Sequence, residues 1–149
     1  MYNGFEYRSA LVESLQNKSP INGQIPMAGF DAAKLFIKWG YEIAKGMEYL
    51  FSKKVMHGDL AARNILIGGR EGSKGNLIAK IADFGLSKTF YDKNYTYKKR
   101  ERDVPFKYMD IDYLTSGELK LTSDVWSFGV VLWEIFSLGE EPYGLSMTN

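Results

Sequence analysis

Apolar residues recur at spacings of three and four along Phe36, Trp39, Ile43, Met47 and Leu50, which predicts an amphipathic helix of about twenty residues, with Asp31 placed to cap it. Ahead of it, Leu11, Val12 and Leu15 predict one short helix. The segment 16–29, with Asn, Ser, Gly, Pro20 and Pro26, reads as a loop. Behind the long helix the period shortens. Ile65 to Ile67 form a brief apolar strand, a run of Gly, Ser and Asn makes a turn, and Leu77 to Ile81 return as a second strand, a hairpin with a long tip. Residues 87–102 are polar, basic and rich in tyrosine, with too little apolar content to be core. Thr122 or Ser123 then caps a helix through Val125, Trp126, Phe128, Val130, Val131, Leu132, Trp133, Ile135 and Phe136. Those positions are apolar nearly all round, so burial on most faces is expected, and Gly139 and Pro142 end the helix. The pattern predicts a mainly α body carrying a small β-hairpin.

Composition narrows the functional classes. The 149 residues are one domain's worth, 45% apolar and 25% charged, enough to build a core. A net charge of +1 gives no basic field for nucleic acid. With no cysteine, disulfides and thiolate metal sites are excluded. No apolar run reaches the roughly 20 residues of a spanning helix, and residues 1–10 lack a secretory signal. A soluble, cytosol-facing piece is expected.

The candidate chemistry lies in "VMHGDLAARNILI", residues 55–67, and at Asp83-Phe84-Gly85. Magnesium takes hard oxygen ligands, commonly one or two carboxylates completed by phosphate and water. Asn64 and Asp83 offer an amide oxygen and a carboxylate from opposite ends of one hairpin. Asp59 remains to accept a proton from an attacking hydroxyl, with the fixed charge of Arg63 near it.

These residues carry a family resemblance. His57-Gly58-Asp59-Leu60-Ala61-Ala62-Arg63-Asn64 resembles the protein kinase catalytic loop, H-R-D-L-x-x-x-N, and Asp83-Phe84-Gly85 resembles its D-F-G. The form "DLAARN" is similar to the tyrosine-specific branch. "VPFKYM" (104–109) is similar to that branch's substrate-binding loop, and 123–144 to its large buried helix. The matches run in the family's order across 31–144.

The resemblance implies the C-lobe of the α+β protein kinase fold, with ATP and Mg2+ as cofactors. Asp59 would be the catalytic base, with Arg63 helping to place the substrate hydroxyl. Asn64 and Asp83 would hold magnesium on the nucleotide, and Leu66 would lie under the adenine. His57 and Phe84 would stack in a structural spine, His57 packing and hydrogen bonding rather than acting as a base. Asp124 would tether the catalytic loop, a role compatible with that of an ordinary first-turn aspartate. Pro105 and Lys107 would lie beside the acceptor tyrosine. At least one of Tyr91, Tyr95 and Tyr97 reads as a phosphate acceptor. The run Lys98-Lys99-Arg100 reads as a solvated loop ahead of an interaction patch.

Three departures qualify the resemblance. Gly58 stands where the family usually has an arginine that meets the activation-loop phosphate, a contact worth about 1.5–3 kcal/mol. Loop phosphorylation is therefore expected to raise the rate little. "MDID" (109–112) stands for M-A-P-E, with the Asp112 carboxylate one methylene shorter. No glycine-rich loop, third-strand lysine or partner glutamate is recognisable before residue 31. Residues 1–149 are accordingly expected to be a partial kinase domain without the N-lobe and the last C-lobe helices. Each missing donor to developing charge is worth about 2.7–4 kcal/mol, so the 149 residues alone should be nearly inactive.

The expected function is protein-tyrosine kinase. The parent would be a dimerising plasma-membrane receptor of the platelet-derived and vascular endothelial growth factor group, with this portion in the cytosol. Protein tyrosines would be its substrates and SH2-type phosphotyrosine readers its partners, with no nucleic acid. The alternatives are a cytoplasmic non-receptor kinase and a pseudokinase scaffold presenting tyrosines.

Overall fold

The computed structural model describes residues 27–69, 77–90, 97–98 and 106–144. Helix α1, Met27–Ser52, is 26 residues long. It begins four residues ahead of Asp31, which lies inside the helix and not at its cap, and positions 27–29, expected as loop, are helical. Met27 and Ala28 are strong helix formers, and a proline just before a helix suits its start. Ala32, Phe36, Trp39 and Ile43 form its buried stripe. The helix ends where Lys54 turns left-handed (φ 56°) and donates its amide to Phe51 O at 2.9 Å.

Strand β1, Val55–Met56, follows, and then the hairpin of β2, Ile65–Gly68, and β3, Ile78–Ile81. Ile65 pairs with Ile81 and Ile67 with Ala79, within a residue of the expected strand bounds. Because side chains alternate, Ile65, Ile67 and Ala79 enter the core while Leu66 and Lys80, paired with each other, take the opposite face. Helix α1 lies close on this hairpin. A Cβ at Gly46 would sit 2.8 Å from Ile81 Cδ1, and Glu42 Oε2 accepts the Ala79 amide at 2.8 Å.

Two further two-stranded ladders had no signal in the sequence pattern. Strand β4, Lys88–Thr89, pairs with β1, and β5, Tyr97–Lys98, pairs with β6, Glu118–Leu119. The expectation that 87–102 contributes nothing to the core is corrected at Phe90, which is 1% exposed. Its amide donates to Lys54 O at 2.7 Å, and its ring joins a second core with Met56, Met109, Tyr113 and Leu119. Helix α2, Ile111–Ser116, is capped by Asp110, whose Oδ1 accepts the Tyr113 amide at 2.7 Å.

Helix α3, Ser123–Phe136, has Thr122 at its N-cap position but no side-chain cap; the Ser123 hydroxyl instead accepts the Lys120 amide at 3.0 Å. Burial on most faces is not found. Val130 and Val131 are buried together with polar Asp124 and Ser127, whereas Val125 (65%), Trp126, Trp133 and Phe136 are exposed. The polar members go inside because their hydrogen bonds lie there, and among the described residues nothing covers the other apolar face. No helix among the described residues is long and apolar enough to cross a membrane. The expected helix around Leu11, the loop at 16–26, and Lys99 and Arg100 lie outside the described residues.

The contrast between Phe90 and Val125 is measurable. Phe90→Ala should lower unfolding stability by about 3–5 kcal/mol, and Val125→Ala should change it by less than about 0.5 kcal/mol. Denaturant titration checks both, and equal losses would contradict this division into core and surface.

Candidate active site

The loop between β1 and β2 is strung between the two cores, with Met56 in one and Leu60 in the other. Asp124, in the first turn of α3, holds it from beneath. The His57 amide donates to Asp124 Oδ2 at 2.6 Å and the Gly58 amide to Oδ1 at 3.0 Å. Two consecutive amides reach one carboxylate where Gly58 turns left-handed, at φ 75°. Space is tight there as well: a Cβ at position 58 would lie 3.2 Å from Leu86 O and 3.3 Å from Met56 Cε.

Burial pushes the Asp124 carboxyl above its ordinary 3.8, with the Gly58 and His57 amides pulling the other way. The folded state therefore holds this proton more tightly than the unfolded chain does. The group's contribution to stability is full below pH 3.8 and is lost as pH rises through the raised value. Burial thus disfavours the carboxylate form, which orders the loop through the His57 and Gly58 amides.

His57 is fully buried, and both ring nitrogens are engaged. The Asp59 amide donates to Nδ1 at 3.3 Å, so the proton sits on Nε2, which donates to Ala82 O at 3.0 Å. Its ring meets Phe84 with centroids 5.1 Å apart and planes at 56°.

Asp59 is held through both oxygens. Arg63 Nη2 donates to Oδ1 at 2.5 Å, and Asn64 Nδ2 donates to Oδ2 at 3.0 Å and to the Asp59 carbonyl at 2.6 Å. A 3-10 turn, Ala62–Asn64, brings Arg63 and Asn64 back towards Asp59. With its amide nitrogen spent on Asp59, Asn64 keeps its side-chain oxygen Oδ1, to which no donor among the described residues is bonded. The Asn64 backbone carbonyl accepts the Ala82 amide at 2.9 Å, so the hairpin sets Asn64 across from the residue preceding Asp83. Asp83 is exposed and left-handed (φ 61°), with Oδ1 accepting the Gly85 amide at 3.3 Å.

Among the described residues, no three His, Cys, Asp or Glu side chains form a metal cluster. Asn64 and Asp83 offer an amide oxygen and a carboxylate, hard donors of the kind that magnesium takes together with phosphate and water.

The remaining candidates are more dispersed. Leu66 is half-buried on the hairpin face away from the core. Lys107, in a 3-10 turn Phe106–Tyr108, pairs with Glu141. Asp112 pairs with Lys120 at 2.6 Å on the surface. The backbone of Tyr97 lies in β5, opposite Leu119. Tyr91, Tyr95 and Pro105 lie outside the described residues.

Two neighbours of the site escaped the sequence reading. Glu134 on α3 accepts the Ala62 amide at 3.0 Å and the Tyr108 hydroxyl at 2.8 Å. The Arg63 guanidinium carbon stands 5.3 Å from the Tyr108 ring centroid. The available signal was a lone carboxylate in "VVLWEIF", since such a residue in an apolar helix needs a partner.

With this geometry in place, the chain can be set beside known proteins. A sequence model for the family described as protein tyrosine and serine/threonine kinase matches residues 8–149. The chain belongs to that family. It is 44% identical over 103 residues to the fibroblast growth factor receptor of Ciona intestinalis, covering 69% of this chain and 13% of that protein. It is 42% identical over 107 residues to the myoblast growth factor receptor egl-15 of Caenorhabditis elegans, covering 72% and 10%. Against vascular endothelial growth factor receptor 2 of Danio rerio it is 45% identical over 107 residues, covering 72% and 7%. The chain thus spans about a tenth of the length of the curated relatives it matches. By family it is a protein-tyrosine kinase sequence, and that family uses ATP and a divalent metal.

The left-handed turn gives this kinase loop a test. Gly58→Ala should cost about 1–2 kcal/mol, because an L side chain is strained there. A glycine at negative φ would instead gain about 0.4–1 kcal/mol from the same change. A denaturation midpoint that rises would contradict the turn.

Proposed function

We propose that the 149 residues are the C-lobe portion of a protein-tyrosine kinase domain, which transfers the ATP γ-phosphoryl group to a protein tyrosine. The observation that carries this reading is the double grip on Asp59. Arg63 and Asn64 each donate to one of its oxygens, which fixes the carboxylate and leaves lone pairs for an incoming hydroxyl. Asp59 accepts the tyrosine proton as the oxygen attacks phosphorus. Asn64, through its carbonyl oxygen, and Asp83 hold the magnesium, which when bound supplies positive charge against the phosphates. Leu66 gives the adenine an apolar face, and Pro105 and Lys107 border the acceptor tyrosine. His57 and Phe84 support the loop from behind, and Asp124 fixes its backbone.

Phosphoryl transfer rests on positioning and electrostatics, and the recognisable glycine-rich loop and phosphate-binding lysine of a kinase are not among these residues. Phosphate transfer by the 149 residues alone is therefore slow. The growth factor receptors it resembles support a receptor parent, with this portion on the cytosolic side, dimerisation in the membrane, and phosphotyrosines read by SH2-type modules. At least one of Tyr91, Tyr95 and Tyr97 accepts phosphate. The scaffold alternative has no use for a base held by two donors.

ATP with magnesium should raise the Tm of the protein, and Asp83→Asn should abolish the magnesium-dependent part of that rise. Asp59→Asn should retain the shift while removing transfer to a tyrosine peptide, measured in a protein that also carries the glycine-rich loop and lysine. A magnesium-dependent shift that survives Asp83→Asn would overturn the metal assignment, and undiminished transfer by Asp59→Asn would overturn the base.

A further inference from the structure

We infer that Tyr108 and Glu134 are positioning residues for the proposed base, because together they hold the Arg63 guanidinium against the Asp59 carboxylate. The catalytic meaning of this inference rests on the kinase reading; the geometry does not. Arg63 has a half-exposed side chain, and a long side chain in that setting samples many rotamers unless something restrains it. Its restraint has two parts. One is the bond from Nη2 to Asp59 Oδ1 at 2.5 Å. The other is the face of the Tyr108 ring, 5.3 Å from the guanidinium carbon, a distance at which the ring quadrupole attracts a cation.

The ring in turn is fixed at both ends. Its hydroxyl donates to Glu134 Oε1 at 2.8 Å, and the Tyr108 backbone carbonyl accepts the Ser127 hydroxyl at 2.7 Å. Glu134 closes the circuit, because its second oxygen accepts the amide of Ala62, the residue preceding Arg63, at 3.0 Å. One carboxylate thereby fixes the backbone that carries Arg63 and the ring beneath its side chain.

The protonation states agree with these roles. Burial, followed by Glu134, pushes the Tyr108 phenol well above its usual range, so the hydroxyl stays a donor. Burial also raises the Glu134 carboxyl, against the pull of Tyr108, the Ala62 amide and Arg63. A buried carboxylate in an apolar helix is costly, and with both its oxygens accepting, its bonds offset that cost.

Three substitutions separate positioning from a clip that merely fastens α3. Tyr108→Leu removes the ring face and the hydroxyl, Tyr108→Phe removes the hydroxyl alone, and Tyr108→Trp keeps a ring face and an N–H donor. The first readout is the 13C resonance of the Asp59 side-chain carboxyl in the 149-residue chain, which needs no activity. It should move in Tyr108→Leu, move less in Tyr108→Phe, and return in Tyr108→Trp. The second is turnover on a tyrosine peptide, in a protein that also carries the glycine-rich loop and lysine. There kcat should fall about tenfold in Tyr108→Leu with KM for ATP unchanged, and Tyr108→Trp should restore it.

An Asp59 resonance unmoved in a folded Tyr108→Leu protein overturns the inference, as does a Trp variant no better than Leu. If Tyr108→Leu does not fold, the Phe and Trp pair decides by the same resonance. If the wild type transfers no phosphate, the kinase reading fails, and the carboxyl resonance still decides whether Tyr108 positions Arg63.

Discussion

The Asp124 carboxylate, in the first turn of α3, accepts two consecutive backbone amides of the loop that follows β1. Residues 57–59 of that loop run between two separate hydrophobic cores, and this pair of bonds fixes their backbone from the α3 side. An ionised group at that depth is unfavourable by itself, as the upward displacement of its proton affinity shows. The two amide bonds and the left-handed turn at Gly58 form one unit with it. From that unit follow the seat of the His57 ring, the direction of Asp59, and the return of the chain through Arg63 and Asn64.

The chemistry divides between two supports. In the proposed reading the loop would supply the carboxylate that takes a proton, Asp59, which has a donor on each of its oxygens. The hairpin would supply the hard oxygens for a metal, since Asn64 immediately precedes β2 and Asp83 lies just beyond β3. Helix α1 backs the hairpin closely, through Gly46 and through Glu42 on the Ala79 amide. A shift of α1 would therefore pass to the proposed metal ligands, and a shift of α3 to the proposed base.

Much of this was legible in the sequence where local pattern decides. The apolar runs 65–67 and 77–81 on either side of a glycine-rich turn gave the hairpin, and the three-and-four spacing from Phe36 gave α1. The start of α1 was misplaced because Pro26 and Gly29 read as loop, whereas the helix begins at Met27 and runs through Gly29. Phe90 was missed because a single aromatic in a polar stretch becomes core only through partners distant in the chain. The exposure of Val125 and Trp126 was missed because hydropathy shows that a face is apolar and not whether anything covers it. At the site, Asp59, Asn64 and Asp83 were marked by their motifs. The Asp124 tether to the loop was expected from the resemblance alone, since its bond to His57 spans 67 positions and no spacing rule reveals it. Glu134 left only the trace of a charge in an apolar helix.

The central claim is that the carboxylates of Asp59 and Asp83 and the amide of Asn64 serve one nucleotide-and-metal pocket. Paramagnetic broadening by manganese with ATP tests it most directly, residue by residue. The account predicts that the side-chain signals of Asp83 and Asn64 broaden first and those of Asp59 with them, while Asp112 and Glu141 stay sharp. Broadening that spares Asp83 and Asn64, or that centres on the surface carboxylates, would contradict it.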